Sequence, residues 1–441
     1  MLERLFNLKE LGTSAGRETV AGITTFMTMS YIIFVQPAVL GAAGMDPGAV
    51  MVATCVSSAL GTVLMALLAN YPIAQAPAMG HNFYFSYIVV LTLGYSWQHA
   101  LGAVFIAGLV FILLSTVGLR ETLMNVLPGC LKNGIPVGIG LLIALVGFEW
   151  SGIVVGHPVT YVTLGDLKST PTLISILGIV VMAVLFALRM RGAILIGIVA
   201  AAAAGLLTGI IEFQGVLSAP PSIAPTFLKL SIPNIFKDPH LITVIFVFLF
   251  LDLFDSVGTL IGVSQQGGLM KEGKLPKARQ ALLSDAIATS GGALLGTSTV
   301  TSYIESASGI SAGGRTGLTG IVVAVLFLLA IFFSPLVRMI GAGYEAGGGL
   351  TLYPVIAPAL IIVGSMMFKN IVNIEWDDYT EGIPAFLTLV IMPLAFSITE
   401  GISFGVISYV LLKVVSGKGK RVHWLLYLFA VLFIARYIWL E

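Results

Sequence analysis

Charge is what this sequence has least of. Only 10 % of its residues are Asp, Glu, Lys or Arg, against about a quarter in soluble domains, while 57 % are hydrophobic. A soluble chain of 441 residues needs a polar surface that this one cannot supply, so that class is excluded. Cysteine is nearly absent as well. Cys55 and Cys130 sit in or beside apolar segments without paired or metal-type spacing, which excludes a disulfide framework and reads as packing. His81, His99, His157, His240 and His423 are scattered, so neither a metal nor another cofactor is expected. No Walker or dinucleotide pattern sits between a strand and a helix, which leaves an ATP-driven pump without an engine. Formal net charge is +1, which argues against a nucleic-acid partner. The N-terminus, MLERLFNLKE, mixes charges of both signs and lacks a short apolar core before a small-residue cleavage site, so no removable signal is expected there.

What the chain does have is long apolar runs from one end to the other. They begin near Val20, Gly48, Ala74, His99, Gly134, Pro171, Ala193, Leu241, Ala281, Val300, Leu318, Gly349, Ile383 and Ile402, which makes fourteen expected spans. Each is of the length that crosses a hydrocarbon core of about 30 Å. With the N-terminus placed inside, alternate loops divide the Lys and Arg residues seventeen to four, the outer four being Lys168, Lys229, Lys237 and Arg338. That asymmetry is the one the positive-inside rule demands, and it predicts a cytoplasmic N-terminus. Arg436 falls in a last apolar stretch, His423 to Leu440, which reads either as a fifteenth span or as an interfacial helix, with fourteen spans preferred. The interruptions at Gly80-His81-Asn82 and around Ser302 to Ser306 lie in the third and tenth segments, and Asn82 precedes Glu305 by 223 positions. Seven spans is an odd number, so a second half of the same plan enters the membrane from the opposite side. This predicts an inverted repeat with a binding site near the midplane.

The acidic residues then narrow the search. Asp252 and Asp255 lie well inside FVFLFLDLFDSVGTLIGV, and Glu305 lies inside GTSTVTSYIESASGIS; Asp285 stands about one turn into the ninth span. A carboxylate at a helix centre costs about 2.5–3.5 kcal/mol on insertion scales, so such groups face a cavity or a partner. Asp252 is one turn before Asp255 and is expected on the same face; its bland reading is a hydrogen bond to a neighbouring span. For Asp285 the bland reading, a helix-start residue near a basic loop, is preferred. The Gly258-Thr259 pair is expected to let the helix open beside Asp255. QAPAMGHNFYF carries Pro77, Gly80 and Asn82 in the middle of an apolar stretch, and the Ser/Thr-rich TSTVTSYI run does the same in the tenth segment. Both predict a short strand followed by a half-helix, backbone that is tolerated at membrane depth only where it is buried in protein or lines a cavity. Asn82 offers donor and acceptor, and Phe83 and Tyr84 offer flat faces, against a plain packing role for the two rings. Glycine runs such as Gly134-x-x-x-Gly138 and Gly347 to Gly349 read as close helix packing or loops.

These segments also carry a resemblance. GRETVAGITTFMTMSYIIFVQPAVL, APAMGHNFYF, FLFLDLFDSVGTLIGV, LLGTSTVTSYIESASGISAGGRTGLTG and SITEGISFGVISYVLLK resemble, in order and over essentially the whole chain, the AzgA-like purine permease branch of the nucleobase transporter superfamily. The resemblance implies an all-α polytopic membrane protein of fourteen segments in two inverted halves, with short β-strands in spans 3 and 10. It implies a core domain from residues 1–133 and 240–348 and a gate domain from 134–239 and 349–441. It implies a transporter rather than an enzyme, taking up adenine, guanine or hypoxanthine with protons across the bacterial inner membrane. Substrate contacts fall by the resemblance on Asp255, Glu305, Asn82, Phe83 and Thr259, and proton coupling on Asp255, Glu305 and Asp252. The nucleobase, protons and the lipid bilayer are its implied partners, with monomer and homodimer both left open. The chain departs from the branch pattern at two positions: the branch has Asn where Gln36 stands and Leu where His81 stands. His81 could thereby alter base preference or take part in proton transfer.

Chemistry agrees with that implication. Purine edges present N–H donors, which carboxylates accept. A carboxylate out of water holds a proton more readily than one in water, which suits it to carrying protons across. An anion exchanger of the same architecture is the nearest alternative, but paired carboxylates repel anions and no midplane cation is visible. A membrane-embedded hydrolase is the third reading, and no nucleophile–base–orienter order supports it.

Overall fold

The computed structural model describes residues 2–117, 126–233, 235–270, 275–347 and 351–439. Of the residues used above, Gly348, Gly349 and Leu440 lie outside the described residues, as do Arg120, Lys271 and Lys274, three of the seventeen cations counted on the inner side.

After a short α1 (Leu2–Phe6), the first apolar run forms two helices, α2 (Ala15–Met29) and α3 (Ile32–Ala42). Ser14 caps α2 by accepting from the Arg17 amide, and Asp46 caps α4 (Pro47–Leu68) by accepting from the Ala49 amide at 2.7 Å, with Pro47 just inside the helix start. The third segment is β1 (Gln75–Pro77), α5 (Met79–Phe83) and a wide π-helical stretch, Tyr84–Thr92. Then follow α6 (Trp97–Val117), α7 (Gly129–Trp150), a hairpin of β2 (Val154–His157) and β3 (Tyr161–Leu164), α8 (Thr170–Ala187) and α9 (Ala193–Leu207). The second half carries α10 (Pro239–Gln266), α11 (Ala278–Leu295), β4 (Val300–Ser302), α12 (Ser306–Ser311), α13 (Gly317–Ala330) and α14 (Ser334–Ile340). A small hairpin, β5 (Tyr344–Glu345) with β6 (Thr351–Leu352), leads to α15 (Ala357–Met367), α16 (Tyr379–Leu394), α17 (Ile398–Val415) and α18 (Trp424–Trp439). Among the described residues, eight helical stretches are long and apolar enough to cross a membrane, and four shorter apolar helices accompany them.

Packing gathers these helices into two groups. In one, α2, α4, α6, α11 and α13 lie against one another; in the other, α7 packs on α15, α16 and α17, with α8 and α9 alongside. The groups meet at α10, which touches α6 on one side and α7 and α17 on the other. Glycine permits a close crossing: α7 and α15 meet at Gly140 and Gly364, where a Cβ on either would run into the other's carbonyl oxygen.

The short strands expected at the two interruptions are present. β1 and β4 pair antiparallel, with Gln75 opposite Ser302, Ala76 opposite Thr301 and Pro77 opposite Val300. The last apolar stretch is a helix laid along the bundle. α18 runs back antiparallel to α17, from Tyr427 bonding the Gly419 carbonyl at one end to Arg436 paired with Glu400 at 2.7 Å at the other. Phe429 and Phe433 on it pack edge-on against Phe250 of α10. Its 16 residues reach about 24 Å, short of the hydrocarbon thickness.

Candidate functional site

The strand pair is what builds the site. The pairing runs on past both strand ends, where the Ala78 amide bonds the Thr299 carbonyl and the Tyr303 amide bonds the Ala74 carbonyl, both at 2.9 Å, while outward-facing backbone groups are met by side chains: the Gln75 amide donates to the Thr62 hydroxyl and the Thr289 hydroxyl donates to the Val300 carbonyl, both at 2.9 Å. Each strand then turns directly into a half-helix, α5 after β1 and α12 after β4. The turn after β4 places Glu305 immediately before α12, where it lines a cleft together with Asp255 of α10.

One wall of that cleft is polar and carries Tyr31, Asp255, Thr259, Thr301, Ser302 and Glu305. The other is apolar, formed by Ile135, Pro136, Ile139 and Ile143 of α7 with Val363, Met366 and Met367 of α15. Its empty space, open mouth included, is about 910 Å³. Asp255 keeps 21 % of its side chain exposed and accepts a long hydrogen bond, 3.3 Å, from the Thr301 hydroxyl. Nδ1 of the buried His81 stands 3.8 Å from the same oxygen. Glu305 is buried, and its Oε1 accepts from the Tyr31 hydroxyl at 2.8 Å. Thr259 lies on the cleft wall one turn beyond Asp255.

Asp252 and Asp255 do not share a surface. Three residues of helix separate their directions by about 60°, enough here for Asp255 to reach the cleft while Asp252 is buried behind it. Ser256 bonds both Asp252, at 2.9 Å, and Asp285 of α11; Asp285 also accepts from Gln75 Nε2 at 2.9 Å and from Ser302 at 3.3 Å. Asp285 is thus buried among partners from α10, β1 and β4 rather than turned to a basic loop as its position near the helix start suggested. The helix does not open at Gly258 and Thr259 either. α10 runs unbroken through both, because a glycine inside a helix removes a side chain and not the backbone hydrogen bonds. What Gly258 supplies is room: the nearest atom to a Cβ there would be Cγ of Pro136, at 3.8 Å across the cleft.

Asn82 and Phe83 stand one layer back from the wall. Asn82 is fully buried and exchanges hydrogen bonds with Gln36 of α3, which also donates to Thr297 at 2.9 Å, while Ser298 donates to Asn82. Phe83 stacks on Tyr87 at 5.8 Å and meets Trp150 edge-on at 6.3 Å. Tyr87 in turn meets Phe396 at 5.7 Å, and Trp150 meets Tyr353 at 4.4 Å. These five rings form one cluster, and none of them is among the residues that line the cleft. The cleft continues past Pro136 and Gly262 into a second cavity lined by Lys132, Asn133, Asn370 and Asn373. Among the described residues, no group of three or more His, Cys, Asp or Glu side chains could hold a metal ion. Tyr31 was missed by sequence reasoning, since a tyrosine inside an apolar run gives no sign of where its hydroxyl points.

With this geometry in view, the chain can be set beside known proteins. Residues 16–404 match the sequence model of the permease family. The chain is 44 % identical to adenine permease AdeP of Escherichia coli, over 100 % of its own length and 97 % of that protein's. It is 45 % identical to guanine/hypoxanthine permease PbuG of Bacillus subtilis, covering 100 % of both. Among solved structures it is similar to the transmembrane domain of a cyanobacterium bicarbonate transporter, BicA, with a TM-score of 0.62 over 90 % of this chain and 97 % of that one, at 16 % identity.

Proposed function

The chain belongs to the permease family and is an integral membrane transporter, not an enzyme, and from that premise we propose that it imports purine nucleobases by proton symport. One observation supports the reading: two carboxylates, Asp255 and Glu305, line a single cleft, opposite a wall of Ile and Met side chains. The flat apolar face of a base lies against that wall, and its N–H edge meets the carboxylates, each of which only accepts when ionised. Asp255, Glu305 and Thr259 are the direct ligands. Asn82 acts from the layer behind by tying α3 to the chain entering β4, and Phe83 acts through the ring cluster it packs in. Adenine, guanine and hypoxanthine are the candidate bases, the ones in the relatives' names.

In this reading fourteen spans form two inverted halves. The core comprises residues 1–133 and 240–348 and the gate 134–239 and 349–441, with the N-terminus in the cytoplasm of the inner membrane. The Lys132 end of the cleft is then the cytoplasmic one. Alternating access exposes the carboxylates to each side in turn, and Asp255, Glu305 and Asp252 take the proton from one side to the other. The anion-exchange alternative is disfavoured: among the described residues the cleft is lined by two carboxylates, Asp255 and Glu305, against one cation, Lys369. The likeness to the bicarbonate transporter is one of fold. Competition for uptake among the three bases, in cells lacking their own purine permeases, tests the reading; uptake of none of them would refute it.

A further inference from the structure

The first span breaks for a reason that the transport cycle alone does not require. α2 stops at Met29 and α3 restarts at Ile32, and the residue at the break is Tyr31, 1 % exposed. Its hydroxyl donates to Oε1 of Glu305 at 2.8 Å across 274 positions of sequence. A second link runs beside it. Thr28 on α2 contacts the Ser308 hydroxyl at 2.8 Å, and that hydroxyl donates to the Glu305 backbone carbonyl at 2.7 Å. The tenth segment is therefore held to the first span at both the main chain and the carboxylate of one residue.

We propose that Tyr31 is a positioning residue for substrate: its hydroxyl fixes the rotamer of Glu305 and occupies one carboxylate oxygen, so that the other is presented to the base. The proposal rests on the purine reading of the cleft. A plain structural role would need only that the buried phenol find some acceptor, and a backbone carbonyl would serve, as Pro77 does for Tyr303 at 2.5 Å. Tyr31 instead spends its single donor on the carboxylate that lines the cleft, and lines the cleft itself. A hydrogen bond to a charged acceptor is among the stronger ones available, and a carboxylate fixed in one rotamer loses less freedom when a ligand binds. The titratable groups facing Glu305 are Tyr31 on the first span, Tyr303 on its own segment and Asp255 on α10; His81 stands behind Asp255, and Lys369 also lines the cleft.

The test is binding of adenine, guanine and hypoxanthine to the purified full chain over a range of pH. Tyr31→Phe removes one oxygen and keeps the ring. It should weaken binding of the preferred base by about tenfold and displace the pH profile of binding, with the melting temperature nearly unchanged. Thr28→Val, which cuts the main-chain link alone, should lower the melting temperature and leave the pH profile in place. If Tyr31→Phe does not fold, 3,5-difluorotyrosine at position 31 keeps every contact while strengthening the donor, and should displace the profile in the opposite direction. Wild-type binding with an unmoved profile and unchanged affinity in the Tyr31 variant would overturn the proposal. Failure of the wild-type chain to bind any of the three bases would overturn the purine reading instead.

Discussion

Asp255→Asn is the substitution whose effect the geometry specifies best. The side chain stays the same size, so the cleft keeps its shape, and what is lost is a charged acceptor facing the substrate edge. A hydrogen bond to a charged group contributes roughly 1.5–3 kcal/mol. Because Asp255 keeps 21 % of its side chain exposed, water competes for it, and the lower end of that range applies. A loss of about 1.5 kcal/mol is about a tenfold weaker dissociation constant. Calorimetry in detergent reads that loss with no proton gradient present, so coupling does not confuse it. Asp252→Asn serves as the internal comparison. Asp252 is 1 % exposed and bonded to Ser256 behind the wall, so its replacement should lower the melting temperature while leaving affinity within about twofold. The reasoning fails if the affinity loss appears with Asp252→Asn and not with Asp255→Asn.

Two further expectations follow from the same account. Glu305→Gln should reach the membrane in normal amount but nearly abolish concentrative uptake, because its neutral amide keeps the contact to Tyr31 and cannot exchange the proton; accumulation at the wild-type level would remove Glu305 from the coupling path. With Cys55 and Cys130 replaced by serine, a cysteine at Gly273, in the basic loop between α10 and α11, should resist membrane-impermeant thiol reagents in intact cells, and rapid labelling would reverse the orientation.

How far these features could be read in advance depended on the kind of physics involved. The strand pair was legible because Pro77 and Gly80, and the Ser/Thr run before Glu305, cannot sit quietly in apolar helices. Asp255 and Glu305 were legible because an ionisable group in an apolar run demands a cavity or a partner. What escaped was orientation. A rotation of about 60° separates Asp255 in the cleft from Asp252 behind it, and residue types alone do not fix the phase of a helix that is apolar all round. The role of Tyr31 and the seating of α18 depend on pairs far apart in sequence, Tyr31 with Glu305 and Phe250 with Phe429, which local pattern does not contain. Gly258 misled for a different reason: glycine permits an opening without requiring one.

The central claim is that paired carboxylates in this cleft carry a purine base together with a proton. The most direct measurement is uptake of radiolabelled adenine, guanine and hypoxanthine into vesicles holding the purified protein, acid outside and alkaline inside, with and without a protonophore. At least one base should accumulate above equilibrium, the protonophore should abolish the excess, and external bicarbonate should not compete. Purine entry that merely equilibrates whatever the gradient, or bicarbonate exchange with no purine uptake, would contradict it.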